Sequence, residues 1–247
     1  MIKGLRDLLS AFQFMTRLPL PSVLSEPEQL LRAAKFFPVV GLMIGLGAAA
    51  LNRMLSGHVS RSVIALMVLT YLVLITGALH EDGLADVADG FGGGWTKEKI
   101  LLIMHDSRVG AFGVIALILS LLARYVLLSE LAVVRFSSYV IVAHVLCRWT
   151  TLPLGMFLRP ARQDGQAAQL AQRISVFSLI FATGVTLAVC YLLLRKQMWL
   201  PTMVTIALTM LTAAYYRSQI GGVTGDCFGA TNQLTEIAIY FCGLVAV

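Results

Sequence analysis

The sequence predicts an all-α, polytopic membrane protein: a bundle of about seven transmembrane helices preceded by an amphipathic helix on the membrane interface. Three observations predict it. Of the 247 residues, 58% are hydrophobic and only 13% charged, and the mean hydropathy of +0.82 is far above that of soluble domains. Apolar runs recur at 36–57, 61–80, 110–134, 137–158, 174–194, 198–216 and 230–247, each about long enough to cross a ~30 Å hydrocarbon core. Lys and Arg fall unevenly between the segments that join these runs, as the positive-inside rule requires of a membrane bundle.

The chain opens with LRDLLSAFQFMTRLPLP, in which Leu5, Leu8, Leu9, Phe12 and Met15 follow helical spacing and Pro19 and Pro21 end the run. Residues 1–35 therefore read as an interfacial segment. The run is interrupted by Gln13, Thr16 and Arg17 and lacks a small-residue cleavage pattern, so a removed signal peptide is not expected. In the first apolar run Gly41, Gly45, Gly47 and Ala49 give a small-residue face for close helix approach. Such faces permit a homo-oligomer without requiring one.

With seven crossings and the N-terminus inside, twelve basic residues lie on the inner side (Lys3, Arg6, Arg17, Arg32, Lys35, Lys97, Lys99, Arg108, Arg159, Arg162, Arg173 and Arg217) and five outside. The orientation thus expected puts 81–109, 159–173 and 217–229 all on the cytoplasmic face. The formal charge of +6 reads as helix anchoring to anionic headgroups of the lipid bilayer; no nucleic-acid partner is expected. Cys147, Cys190, Cys227 and Cys242 form no CxxC pair and read as reduced packing residues.

The whole chain reads as one membrane-embedded catalytic domain built around 80–110. This stretch holds Glu81, Asp82, Asp86, Asp89, Glu98 and Asp106, six of the thirteen acids. Crowded like charges are unfavourable unless a cation answers them. Asp82, Asp86 and Asp89 are spaced four and three apart, so on a helix they line one face. Three hard-oxygen ligands on one stripe suit Mg2+ or Mn2+, which retain water and take substrate phosphate, whereas zinc would recruit more His and Cys. His80 reads as a candidate base or second partner. Glycines 83, 90, 92, 93 and 94 with Lys97, Lys99 and Arg108 suggest a diphosphate-binding surface with exposed backbone amides.

A second polar motif, within 217–236, is GGVTGDCFGATNQLTE at 221–236. It opens the last apolar run with Asp226, Thr231, Asn232, Gln233 and Glu236, groups that are costly in lipid without partners. Asp226 reads either as a cap of that helix or, with Glu236, as a second wall of the acidic site. Arg124 and Arg148 lie roughly 15–20 Å below the inner ends of their helices by the rise per residue. Intramembrane arginines pair with acids or line a cavity, and Glu130 and Glu236 are the candidate partners.

Together these motifs resemble the cobalamin synthases, the adenosylcobinamide-GDP ribazoletransferases. The resemblance rests on FMTRLPLP, FFPVVGLMIG, TGALHEDGLADVADG, MHDSRVGAFG, LSELA and TGDCFGATNQLTE, in this order and over nearly the whole chain. It implies a Mg2+-dependent transferase that joins adenosylcobinamide-GDP to α-ribazole or its 5'-phosphate, releasing GMP. Metal or catalytic roles are carried onto His80, Asp82, Asp86, Asp89, Asp106 and Asp226, and less firmly onto Glu236, without fixing which does what. The working assignment is Asp82, Asp86, Asp89, Asp226 and Glu236 as metal ligands, with His80, Asp82, Asp106, Arg108 and Asp226 in the catalytic set. Two other readings differ in a feature that can be inspected. A divalent-cation transporter would hold its acids near the bilayer midplane, reachable from both faces. CDP-alcohol phosphotransferases carry a DGxxAR pattern, and no Arg follows Asp82 and Gly83 in that register here.

Overall fold

The computed structural model describes residues 3–21, 27–131, 133–162, 170–171 and 174–246; Arg173, counted above for topology, lies outside them. Twelve α-helices follow in order: α1 Lys3–Met15, α2 Pro27–Ala33, α3 Phe37–Leu55, α4 Arg61–Thr76, α5 Leu79–Gly93, α6 Lys97–Met104, α7 Ala111–Glu130, α8 Val133–Trp149, α9 Thr151–Phe157, α10 Val176–Leu194, α11 Trp199–Ile220 and α12 Gly225–Val245. Among the described residues the only β-pairing is an isolated bridge between Pro160 and Val223.

All seven apolar runs fold as helices, but fewer than seven are long and apolar enough to count as crossings on length and composition alone. Four stretches qualify: Glu28–Leu55, Ala111–Glu130, Val133–Phe157 and Val176–Ile220. The last is a 45-residue run, too long for one crossing at about 1.5 Å per residue. It breaks at Arg195 (φ 51°), and Thr186 and Leu187 line one cavity with Thr202 and Ile206. α10 and α11 are therefore separate helices that double back with that cavity between them. α4 and α5 qualify only jointly and are bent by 86°, because Gly77 and Ala78 are both left-handed (φ 63° and 58°). The apolar α4 ends there and the acidic α5 turns aside. α12 does not qualify, since its first half carries Asp226, Thr231, Asn232, Gln233, Thr235 and Glu236.

α8 is the central post, with Tyr139, Val140, Val142, Ala143, Val145 and Arg148 almost inaccessible. α3 packs on it backbone to backbone: a Cβ at Gly45 would stand 2.6 Å from the Ile141 Cα, and one at Gly41 would collide with the His144 carbonyl. The small-residue face in the first apolar run thus works within the chain. Outward, Met43, Leu66, Leu74, Ile115, Leu119, Leu122, Phe177, Ile180, Met210 and Leu211 are exposed on several helices, an apolar belt of the kind a membrane protein turns to the bilayer.

α1 docks through a mixed face, with Asp7, Ser10, Ala11 and Met15 buried. Asp7 is buried and accepts from Arg32 (3.4 Å) and Lys35 (3.3 Å), and Gln29 donates to Ser10 (2.6 Å). Leu5 points outward. All four cysteines are free and buried, as expected of packing residues.

Candidate active site

Two glycines build the site. α5 and α12 run against each other so closely that a Cβ at Gly83 would lie 2.8 Å from the Asp226 carbonyl oxygen, and one at Gly229 would lie 3.3 Å from the His80 Cα. That contact sets Asp82 and Asp86, one turn apart on α5, beside Asp226 in the first turn of α12. The two acidic motifs, some 140 residues apart in the chain, meet at one end of the bundle. Thr224, not Asp226, caps α12, accepting from the Cys227 amide at 3.4 Å. Asp226 is thereby left to face the acids, with Thr224 donating to its Oδ2 at 3.2 Å.

A residue absent from the sequence assignment joins them. Arg162 Nη2 stands 3.5 Å from Asp226 Oδ2, held by the strap that follows α9. The Val223 amide donates to the Arg159 carbonyl (2.8 Å) and the Ala161 amide to the Val223 carbonyl (2.9 Å). No local pattern marks Arg162. Its role comes from a backbone bridge between two loops, which is invisible in either loop alone.

The charge in the cluster is lopsided. Burial, then the carboxylates of Asp226 and Asp82, push Asp86 up to about 7, opposed by Arg162. Burial also raises Asp226, opposed chiefly by Arg162 and the Thr224 hydroxyl, with His105 further off. Asp82 is exposed and Asp86 and Asp226 are half-buried. Among the described residues no three His, Cys, Asp or Glu side chains close a metal cage by themselves. The donor set nevertheless fits Mg2+, which binds through one or two carboxylates and completes its shell with water and substrate phosphate. A doubly charged cation also relieves the repulsion that holds the Asp86 proton.

The other assigned residues lie elsewhere. Asp89 is buried and spends both oxygens on the start of α7, accepting from the Gly110 amide (2.7 Å) and the Gly113 amide (2.8 Å). It anchors α7 where it was expected to hold metal. Asp106 and Arg108 form an exposed pair (2.6 Å), with the Arg108 amide also donating to Asp106 (3.0 Å). Arg108 holds the Asp106 carboxyl down at about 2. His80 is buried beneath the cluster, its backbone against Gly229. The glycines after Asp89 belong to helix packing: Gly90 fits against Met104, Gly92 against Phe112 and Gly94 against Ile100. No amide-lined phosphate cradle forms there, since α5 stays helical to Gly93 and the Gly94 amide closes it on Gly90.

Glu236 sits about 15 Å along α12 from Asp226 by the helical rise, so it does not share the acid cluster. It accepts from Arg124 Nη1 (3.4 Å) and from the Tyr240 hydroxyl (3.0 Å). Arg124 Nη2 donates to Glu81 Oε1 (2.8 Å). Of the two acids open as partners for Arg124 or Arg148, Glu236 meets Arg124 and Glu130 meets neither, and Glu81 is a second partner of Arg124. Arg148 meets His144 Nδ1 (2.9 Å), and His144 Nε2 meets the Tyr240 hydroxyl (3.2 Å). The two acids and two arginines of this lower layer cancel in charge.

The model of the family described as cobalamin-5-phosphate synthase matches residues 7–245. The chain belongs to that family. Among its relatives are adenosylcobinamide-GDP ribazoletransferases from three Shewanella species. That of S. baltica is 37% identical over 243 residues, spanning 96% of this chain and 93% of the relative. That of S. pealeana is 38% identical, spanning 95% and 93%, and that of S. frigidimarina 38% identical, spanning 97% and 95%. No solved structure matches. For this cobalamin-5-phosphate synthase family member the resemblance carried by the six motifs is thus established at family level, over almost the full length.

Proposed function

We propose that this chain is an adenosylcobinamide-GDP ribazoletransferase. In that reaction a ribose hydroxyl of α-ribazole, or of its 5'-phosphate, attacks the phosphorus on the corrinoid side of the diphosphate and GMP leaves. The observation that carries the proposal is the meeting of Asp82, Asp86 and Asp226 with Arg162 across the Gly83–Gly229 contact. A diphosphate donor needs its charge answered, and an excess of acids binds such a donor only through a metal.

Asp82, Asp86 and Asp226 are the residues to hold Mg2+. When bound, the metal supplies neutralisation of the diphosphate and of the departing phosphate. Arg162, already at the carboxylates, is placed to take a phosphate oxygen, and its planar fork suits that geometry. The hydroxyl proton passes to a neighbouring carboxylate of the cluster that is not holding the metal, with His80, buried beneath, the less accessible alternative. Glu236, Asp89 and the Asp106–Arg108 pair support the frame around the site.

The orientation that fits best puts this end of the bundle in the cytoplasm of a bacterium, across the inner membrane, where nucleotide-linked substrates are found. The test is product formation by purified protein in liposomes given adenosylcobinamide-GDP and α-ribazole, with Mg2+ or with EDTA. Metal-dependent product and stoichiometric GMP support the proposal. Folded protein that forms neither, or forms both equally well in EDTA, rejects it.

A further inference from the structure

The lower polar layer has a geometry that charge balance alone does not require. Arg124 is 1% exposed, sits on α7, and divides its guanidinium between two other helices: one arm to Glu81 on α5 (2.8 Å), the other to Glu236 on α12 (3.4 Å). Glu81 precedes Asp82 directly in the first turn of α5. Glu236 lies on the helix that carries Asp226. The fork therefore spans the same two helices whose spacing sets the acid cluster, and it does so beneath Gly83 and Gly229, where those helices touch.

The second arm is tied further. Tyr240 donates to Glu236 and contacts His144, which meets Arg148, so the α12 side of the clamp is braced on the central post α8. The α5 side has no such brace: the second oxygen of Glu81 is buried without a partner among the described residues. Past the 86° bend at Gly77 and Ala78, α5 has little covalent guidance from α4. Beneath the glycine contact, Arg124 is the polar tie that holds the start of α5 against α12.

We propose that Arg124 is a positioning residue for the metal–diphosphate site, setting the register between Asp82 and Asp86 on α5 and Asp226 on α12 by bridging Glu81 and Glu236. This rests on the reading that those three aspartates bind the metal. Arg124 is itself buried and has both arms taken by the glutamates, so it does not offer its guanidinium to the donor diphosphate. Its effect must pass through the two glutamates. Lys in its place keeps the charge but reaches only one carboxylate, because an ammonium lacks the planar fork.

The experiment is Mn2+ binding to the detergent-solubilised full chain, read by loss of the free-ion EPR signal, with the melting temperature of each variant recorded beside it. The wild type is expected to bind, and Asp82→Asn to bind far more weakly. Arg124→Lys should bind about tenfold more weakly at unchanged formal charge, in the range seen when supports of metal ligands are altered. Glu81→Gln should move the affinity in the same direction by about threefold. Folded Arg124→Lys that binds Mn2+ like the wild type, whatever its melting temperature, shows a purely structural role and overturns the inference. If Arg124→Lys does not fold, Glu81→Gln decides by the same criterion. A wild type that takes up no Mn2+, or an Asp82→Asn that binds it equally well, overturns the metal reading itself and is told apart by that.

Discussion

Two layers of this molecule use the same side chains to opposite ends. In the lower one, Glu81 and Glu236 share Arg124, and Arg148 is held by His144; all four charged side chains are buried and their formal charges cancel. In the upper one, Asp82, Asp86 and Asp226 face Arg162; they are partly exposed and the acids are in excess. A balanced, buried set is a joint between helices, since ions in a low-dielectric interior persist only when paired. An unbalanced set open to solvent is where we propose that a cation from outside binds. Charge balance, more than residue type, separates the framework from the site.

The comparison can be broken at several places. The largest effect is expected in the upper layer: Asp226→Asn should lower the transferase rate by about 100-fold or more while leaving the melting temperature within a few degrees. A rate near wild type would move the site elsewhere. In the lower layer the pattern reverses. Glu236→Ala leaves Arg124 short of a counter-ion and is expected to cost about 3–5 kcal/mol of stability, read from thermal or denaturant unfolding in detergent. An unfolding midpoint equal to wild type would mean that the layer is not a joint.

Gly83→Ala tests the contact between the layers. Its methyl group would press on the Asp226 carbonyl, and overpacking of this kind costs about 1–3 kcal/mol. Activity should fall more than stability, because the displaced helix carries the acids. The smallest effect is a pH dependence. The folded pKa of Asp86 lies above the ordinary carboxylate value, so the metal-free native state holds a proton that the unfolded chain releases. The contribution of Asp86 to native stability therefore declines as pH rises from about 4 toward 7, so metal-free wild type should lose stability relative to Asp86→Asn over this window, and added Mg2+ should stabilise the wild type most above pH 7. A wild type and Asp86→Asn whose stability difference does not change with pH over this window would contradict the crowding of carboxylates in the upper layer.

Much of the frame was legible in the sequence because lipid imposes length and composition on every crossing: the seven apolar runs are α-helices or helix pairs in the structure. The pairing of Asp82 with Asp86 was legible from helical spacing, and the Arg124–Glu236 pair from the cost of burying either alone. Three features were not. Asp89 continues the stripe of Asp82 and Asp86, and spacing cannot tell a metal ligand from an anchor for another helix. Arg162 reaches Asp226 only through the strap of Arg159 to Val223. The glycines after Asp89 read as phosphate-binding loop residues, but each makes room for a neighbour such as Met104 or Phe112. All three depend on which distant segment lies opposite, information carried by tertiary packing and by no local pattern.

The bend between α4 and α5 has a consequence for how such a chain changes over generations. Were Arg61 to Gly93 one continuous rod, each residue inserted or lost in its membrane half would rotate everything beyond by about 100°, sweeping Asp82 and Asp86 away from their partners. The two left-handed residues at Gly77 and Ala78 act as a universal joint. Upstream, α4 is free to lengthen, shorten or exchange its lipid-facing residues as bilayers differ in thickness, while the chemistry downstream inherits none of those adjustments.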